Sequence, residues 1–319
     1  MAQDKYSIYD FSTGPTETGL RVGHWNVQGL GLASDETKKR DYVECLINRH
    51  CFHIFAVAET MLQERIRRAR TDIEGFSCER LDREMRSDGT REKASGGIMV
   101  YIHENFEYVK IKEEERDGNL QYMIVRVSKP VQVDIVVVYN PPNVSYAGRF
   151  TSYLNFFTEI KKYFRYPVVV LGDINIDRND LGKYPKIHVD KMEKTLADLK
   201  LAQQVKRITR LKPGSYSGAI LDHIYTSQNL KISECDVMRI NESDHDIVYC
   251  VLFGTVLKSD IENRCGNYEK SLKRFEAKKK TEQEVRQLLY EAKRWAQLTK
   301  KHAREVDVLR AELEALSLM

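Results

Sequence analysis

The feature that most restricts the fold of this 319-residue chain is a set of short apolar runs that do not alternate. Residues 135–138 read Ile-Val-Val-Val and residues 168–171 read Val-Val-Val-Leu. Strands covered on both faces have that pattern, because neither side needs a polar residue for water. Further β-rich runs fall at 20–25, 54–58, 97–102, 123–127, 131–139, 168–172, 223–225 and 247–252. Helical stretches at 37–50, 149–163 and 191–199 are interspersed among them. Sheets layered between helices satisfy both patterns. The expected class is α/β: a four-layer sandwich of two β-sheets flanked by helices, followed by a long C-terminal helix.

Charge divides the chain in two. Lys and Arg number 51 against 47 Asp and Glu, a net of +4. After residue 257 there are 15 basic and 11 acidic residues, so the whole excess lies in the tail and the preceding part is balanced. A binder that wraps nucleic acid by charge excess alone is thereby excluded. Beyond Gly266 the tail lacks Pro and Gly, and Val285, Leu288, Ala292, Trp295, Val306, Leu309, Leu313 and Leu316 recur at alternating spacings of three and four. That stripe predicts one amphipathic helix, either a coiled coil joining a homodimer or a helix folded on its own domain; Thr299 and His302 interrupt it. The expected domains are an N-terminal extension at 1–19, a main domain at 20–257 and the basic helical tail at 258–319. No apolar run approaches the roughly 20 residues that span a bilayer. Residues 1–18 lack a secretory pattern. Six scattered cysteines without a CxxC pair read as reduced thiols. An intracellular protein with no membrane contact is expected.

The residues that carry chemistry gather at strand ends. Asn26 closes the first strand, Glu59 follows the second, and Tyr139-Asn140-Pro141-Pro142-Asn143 ends another. Gly172-Asp173-Ile174-Asn175 follows the run at 168–171, while Asp222-His223 and Ser243-Asp244-His245 precede short strands. Singly, each is a common turn or cap. Together they supply a hard oxygen site for a divalent cation (Glu59, Asn26 and Asp244) and a carboxylate to deprotonate water (Asp173). They also supply an amide donor (Asn175), an Asp-supported histidine (Asp222 with His245) and a phenol (Tyr139). That inventory suits phosphodiester hydrolysis, which must activate water and neutralise transition-state charge.

The order Trp25-Asn26, Glu59-Thr60, Tyr139 to Asn143, Gly172-Asp173-x-Asn175, Thr209, Asp222-His223, Ser243-Asp244-His245 resembles the endonuclease/exonuclease/phosphatase superfamily. Within that superfamily it is most similar to the apurinic/apyrimidinic-endonuclease-like domain of non-LTR retrotransposons. Arg207-Ile208-Thr209-Arg210 ahead of Leu221-Asp222-His223-Ile224-Tyr225, and the glycine-led strand Ser95-Gly96-Gly97-Ile98-Met99-Val100-Tyr101, add to the likeness. It covers roughly residues 20–253 and leaves the tail outside. Two departures stand out: Gln28 where repair enzymes carry an acidic residue, and a Tyr-to-Asn segment one residue longer, which leaves Asn140 or Asn143 as the substrate-facing amide, Asn143 preferred. The resemblance implies a Mg²⁺-dependent DNA endonuclease, with Mn²⁺ as a substitute, working in the nucleus. Thr209 and Arg210 join Asn143 as substrate-binding candidates. An interaction protein that keeps a nuclease fold, or a phosphoesterase acting on a small or lipid phosphoester, are the alternatives.

Overall fold

Two sheets are built around the apolar runs. In the computed structural model, residues 19–30, 39–64, 66–82, 96–115, 120–142, 145–211, 217–240 and 242–253 are described, with 273 and 277 beyond them. Asn143, Ser95, residues 212–216 and all but two residues of the predicted long tail helix lie outside the described residues. The chain divides into two compact units, residues 1–28 with 52–257 and residues 29–51 with 258–319.

In the first unit, the strands of one sheet are β1 (Leu20–Asn26), β2 (Ile54–Ala58), β3 (Phe76–Leu81), β4 (Ile98–His103), β13 (Ile232–Met238) and β14 (Ile247–Leu252), in the order β13-β14-β1-β2-β4-β3. The second sheet holds β5 (Glu107–Glu115), β6 (Gln121–Lys129), β7 (Val133–Tyr139), β8 (Val168–Asp173), β9 (Leu201–Gln203) and β12 (Asp222–Ser227), in the order β5-β6-β7-β8-β12-β9. A small ribbon pairs β10 (Arg210–Leu211) with β11 (Gly218–Ala219). The second sheet carries α2 (Tyr146–Ile160) and α3 (Lys186–Asp198).

The absence of alternation in 135–138 now has its cause. Ile135 and Val137 enter the layer between the sheets, with Val22, Ile54, Ala56, Val100, Val125 and Val169. Val136 and Val138 face the other way, into a cluster with Phe150, Tyr153, Phe156 and Phe157 of α2 and Met192 and Leu196 of α3. Both faces are dry. Each fully buried aliphatic side chain contributes roughly 1.5–3 kcal/mol, so these two layers dominate the stability of the unit. Helix α2 starts where Ser145 accepts a hydrogen bond from the Gly148 N–H at 3.1 Å, a side-chain cap on an otherwise orphan donor. Its buried residues Phe150, Tyr153, Phe156, Phe157 and Ile160 follow helical spacing and form one stripe.

In the second unit, α1 (Lys39–Arg49) buries Tyr42, Val43, Leu46 and Ile47, and Arg40 pairs with Glu44 one turn on. No helix among the described residues is long and apolar enough to cross a membrane. Cys45, Cys51, Cys78, Cys235 and Cys250 are free thiols.

Candidate active site

Topology brings the strand ends together. β1 runs parallel to β2 with Asn26 opposite Ala58, and β7 runs parallel to β8 with Tyr139 opposite Asp173. Their carboxyl ends therefore share one edge of the unit. β12 is antiparallel to β8 and begins there, with Asp222 directly opposite Asp173. β14 is antiparallel to β1, so the 243–246 segment that leads into it reaches the same edge.

Close backbone approach makes room for this. A Cβ on Gly172 would lie 1.8 Å from the Val138 carbonyl oxygen, so only glycine lets β8 approach β7 beside Asp173. Glu59 and Met61 both adopt left-handed backbone conformations, with φ of 52° and 53°. The Thr60 and Met61 N–H groups donate to the carbonyls of Gly97 and Gly96, which holds that unfavourable turn and fixes where Glu59 points.

Side chains then join the two sheets. Asn26 Nδ2 donates to Glu59 Oε1 and to Asp173 Oδ2, both at 2.9 Å. The Tyr139 hydroxyl donates to Glu59 Oε1 at 3.1 Å. Asp173 Oδ1 accepts the Asn175 N–H at 3.0 Å. His245 Nδ1 lies 2.8 Å from Asp222 Oδ2, and Trp25 Nε1 donates to the His245 carbonyl at 3.1 Å. Asp173, Asp222 and His245 are all buried, and their oxygen and nitrogen atoms lie within 4.8 Å of one another, a group that could hold a metal ion only with His245 neutral.

Electrostatics follow from burial. Desolvation raises Asp173 from the usual carboxylate range to about 7, and the charges of Asp222 and Glu59 push the same way against His245 and Asn26. Burial alone would discharge His245, but the Asp222 carboxylate overrides it and raises the imidazole to about 9. Burial likewise opposes the charge on Asp222, and the His245 charge and hydrogen bond still hold that carboxyl below its ordinary value. The site thus keeps a protonated histidine beside an aspartate poised to take a proton.

A divalent cation fits this donor set. Among the described residues, Glu59, Asp173, Asp222 and Asp244 face only His245 and Arg210 as charged cations, and Asp244 Oδ1 is buried without a hydrogen-bond partner. Carboxylate oxygens in excess of positive charge are what a hard divalent ion takes.

Several candidates take places that their sequence positions do not reveal. Asn26 turns its nitrogen to the carboxylates, and its oxygen accepts the Gln28 N–H at 3.2 Å, so it clamps Glu59 to Asp173. Asn175 directs Nδ2 to the Asn140 carbonyl at 2.9 Å. Asn140 is buried and directs its own Nδ2 to the carbonyls of Ile174 and Arg149. Thr209 is buried too, and its hydroxyl oxygen accepts the N–H groups of Leu221 and Asp222 at 3.0 and 3.1 Å. It supports the start of β12. Arg210 is half-exposed and bonds Asp244 Oδ2 at 2.8 Å. His24 and Ser243 join the site without a signal of their own in the motif pattern. His24 is fully buried with Nδ1 3.5 Å from Asp222 Oδ1, and burial lowers it to about 4, so it is neutral. Its alternation with Val22 and Asn26 along β1 is the signal that places it between the sheets. Ser243 donates to the Asn26 carbonyl at 2.9 Å and accepts the His245 N–H at 3.2 Å, linking the β1 end to the 243–246 segment.

The comparisons agree with this architecture. Residues 133–249 match the family model described as endonuclease-reverse transcriptase. No curated protein sequence matches the chain. Among solved structures, AP endonuclease LMAP from Leishmania major superposes with a TM-score of 0.56 at 14% identity, over 74% of this chain and 88% of that one. The mannosyl-6-phosphatase Bt3783 of Bacteroides thetaiotaomicron VPI-5482 gives 0.54 at 13%, over 74% and 100%. The endonuclease domain of TRAS1, a telomere-specific non-LTR retrotransposon, gives 0.50 at 17%, over 74% and 98%. The chain therefore carries the endonuclease/exonuclease/phosphatase fold.

Proposed function

We propose that this protein is a divalent-metal-dependent endonuclease that hydrolyses DNA phosphodiester bonds, with Mg²⁺ as the working ion and Mn²⁺ as a substitute. The observation that carries the reading is the convergence of Asp173, Asp222 and His245, clamped through Asn26 to Glu59 across the two sheets. The match to the endonuclease-reverse transcriptase model and the likeness to an AP endonuclease and a retrotransposon endonuclease support DNA as the substrate.

Asp173 accepts the proton of a water molecule as the water oxygen bonds to phosphorus. The bond from phosphorus to the leaving sugar oxygen breaks, and that oxygen takes a proton from solvent water, giving a phosphate monoester and a hydroxyl. His245, kept protonated by Asp222, donates to a non-bridging oxygen and stabilises charge that grows in the transition state. Tyr139 and Asn26 both donate to Glu59 Oε1 and hold that carboxylate in place. Glu59 and Asp244 would hold the cation, which supplies neutralisation of the phosphate charge.

A phosphatase with the same fold is the second reading, favoured by the Bacteroides neighbour. A supercoiled-plasmid nicking assay with Mg²⁺ or EDTA decides between them. Nicking in Mg²⁺ that EDTA stops, and that a His245→Ala, Asp173→Asn double variant loses, is the expected result. Release of phosphate from small esters without nicking would overturn the DNA reading.

A further inference from the structure

The helix that follows the Tyr139 strand end carries an aromatic side chain that the hydrolytic steps do not use. Helix α2 begins shortly after Tyr139, and its first residue, Tyr146, is 54% exposed. The ring is nonetheless held in place. The Arg149 guanidinium carbon lies 4.7 Å from its centroid, and Tyr184 meets it edge-on at 5.4 Å. Phe150 packs in turn on Tyr184 at 5.2 Å.

Arg149 ties this ring to the catalytic residues. Its Nη1 donates to the Asn175 carbonyl at 2.9 Å, and the Asn175 N–H is the group that bonds Asp173 Oδ1. The Asn140 amide also bonds the Arg149 carbonyl, at 3.3 Å. Among the described residues no carboxylate pairs with Arg149, so its charge stays uncompensated while the ring occupies one face of the guanidinium. The other strongly exposed apolar side chains, Val109, Ile187 and Phe253, are not backed by a cation in this way. A fixed ring with an open face and a positive charge behind it recognises a flat π system next to a phosphate. A nucleobase has both.

We propose that Tyr146 and Arg149 form a stacking platform for the nucleobase that flanks the scissile phosphate. This rests on the DNA reading and adds to it a means of gripping an unpaired or partly unstacked base. Stacking of this kind has little base specificity, since every base offers a π face.

The test uses the full chain and an oligonucleotide duplex whose nick has been mapped in Mg²⁺. 2-Aminopurine is placed at each position flanking the nick in turn, and binding is titrated in EDTA. Wild type should quench one flanking position, and Tyr146→Phe and Tyr146→Trp should keep that quench. Tyr146→Leu keeps apolar bulk without a π face, so it should lose the quench and bind about 5- to 150-fold more weakly, the range that removal of one stacked base gives. Its melting temperature should match wild type. If the Leu variant binds and quenches as wild type while nicking persists, the platform is wrong and the nuclease reading stands. Failure of the Phe variant alongside Leu would replace stacking by a role for the hydroxyl and overturn the proposal. Absence of DNA binding and nicking in the wild type would remove both.

Discussion

Two buried aspartates stand at opposite ends of the same parallel strand pair, and they are treated in opposite ways. Asp134, near the start of β7, accepts four hydrogen bonds: from Arg126 Nε at 2.7 Å, Arg126 Nη2 at 3.2 Å, the Arg165 N–H at 2.7 Å and the Tyr166 N–H at 3.1 Å. Asp173, at the end of β8, accepts from Asn26 and the Asn175 N–H, and faces a second carboxylate, Asp222, directly across the ladder. Like charges opposed across a sheet destabilise it. One end of the pair is electrostatically complete and the other is left wanting a cation and a proton. The first end is satisfied by its hydrogen bonds, and the second sets two carboxylates against each other.

The sharpest way to break this comparison is to neutralise each aspartate in turn. Asp173→Asn should lower nicking by about 10³-fold or more, since it removes the base, yet leave the protein at least as stable at pH 8. Asp134→Asn should do the reverse. Arg126 would lose its partner in a largely buried setting, at a cost of roughly 3–5 kcal/mol, while kcat below the melting transition stays at the wild-type level. Thermal melts and nicking rates on both variants check this. If both lose stability equally, the contrast between the two ends is wrong.

Asp222→Ala comes next in size. It should slow nicking by about 10²-fold and move the alkaline limb of the rate profile down from about 9, because the carboxylate that keeps His245 protonated is gone. An unshifted limb would show that His245 does not depend on Asp222.

Much of this was legible in the residues themselves, and the missing part has a common cause. The runs found by apolar content are β1, β2, β4, β6, β7, β8, β12 and β14, the eight interior strands of the two sheets. The strands not anticipated include all four edges: β3, β5, β9 and β13. β5 reads Glu-Tyr-Val-Lys-Ile-Lys-Glu-Glu-Glu and is half-exposed along its length, because an edge strand is protected from unwanted pairing by charge, which erases the apolar signal. The site shows the same division. Strand-end positions for Asn26, Glu59, Tyr139, Asp173, Asp222 and His245 follow from where the apolar runs stop. What each side chain bonds does not. Thr209 under Asp222, the inward amides of Asn140 and Asn175, and His24 beside Asp222 depend on which face of a strand or loop meets which neighbour across the sandwich.

The smallest expected effect separates the two ends by pH alone. Asp173 is raised to about 7 from an ordinary 3.8, so the fold favours its neutral form. Its contribution is complete below 3.8 and is lost as pH rises through 7. His245 is raised to about 9 from 6.5, so its contribution is complete below 6.5 and is lost as pH rises through 9. Both losses run in the same direction, and the metal-free protein should melt progressively lower between pH 6 and 9.5, at roughly 2–4 °C for each kcal/mol lost. Added Mg²⁺ gives the ionised Asp173 a compensating charge, so it should raise the melting temperature more at pH 8 than at pH 6. Asp173→Asn should flatten the part of the curve around pH 7 and keep the part around pH 9. Asp134→Asn should lower the whole curve and leave both steps in place. A variant pair that shifted the curve in parallel would mean that the poor compensation at Asp173 carries no energy in the folded state, and its place as the reactive end of the strand pair would fall with it.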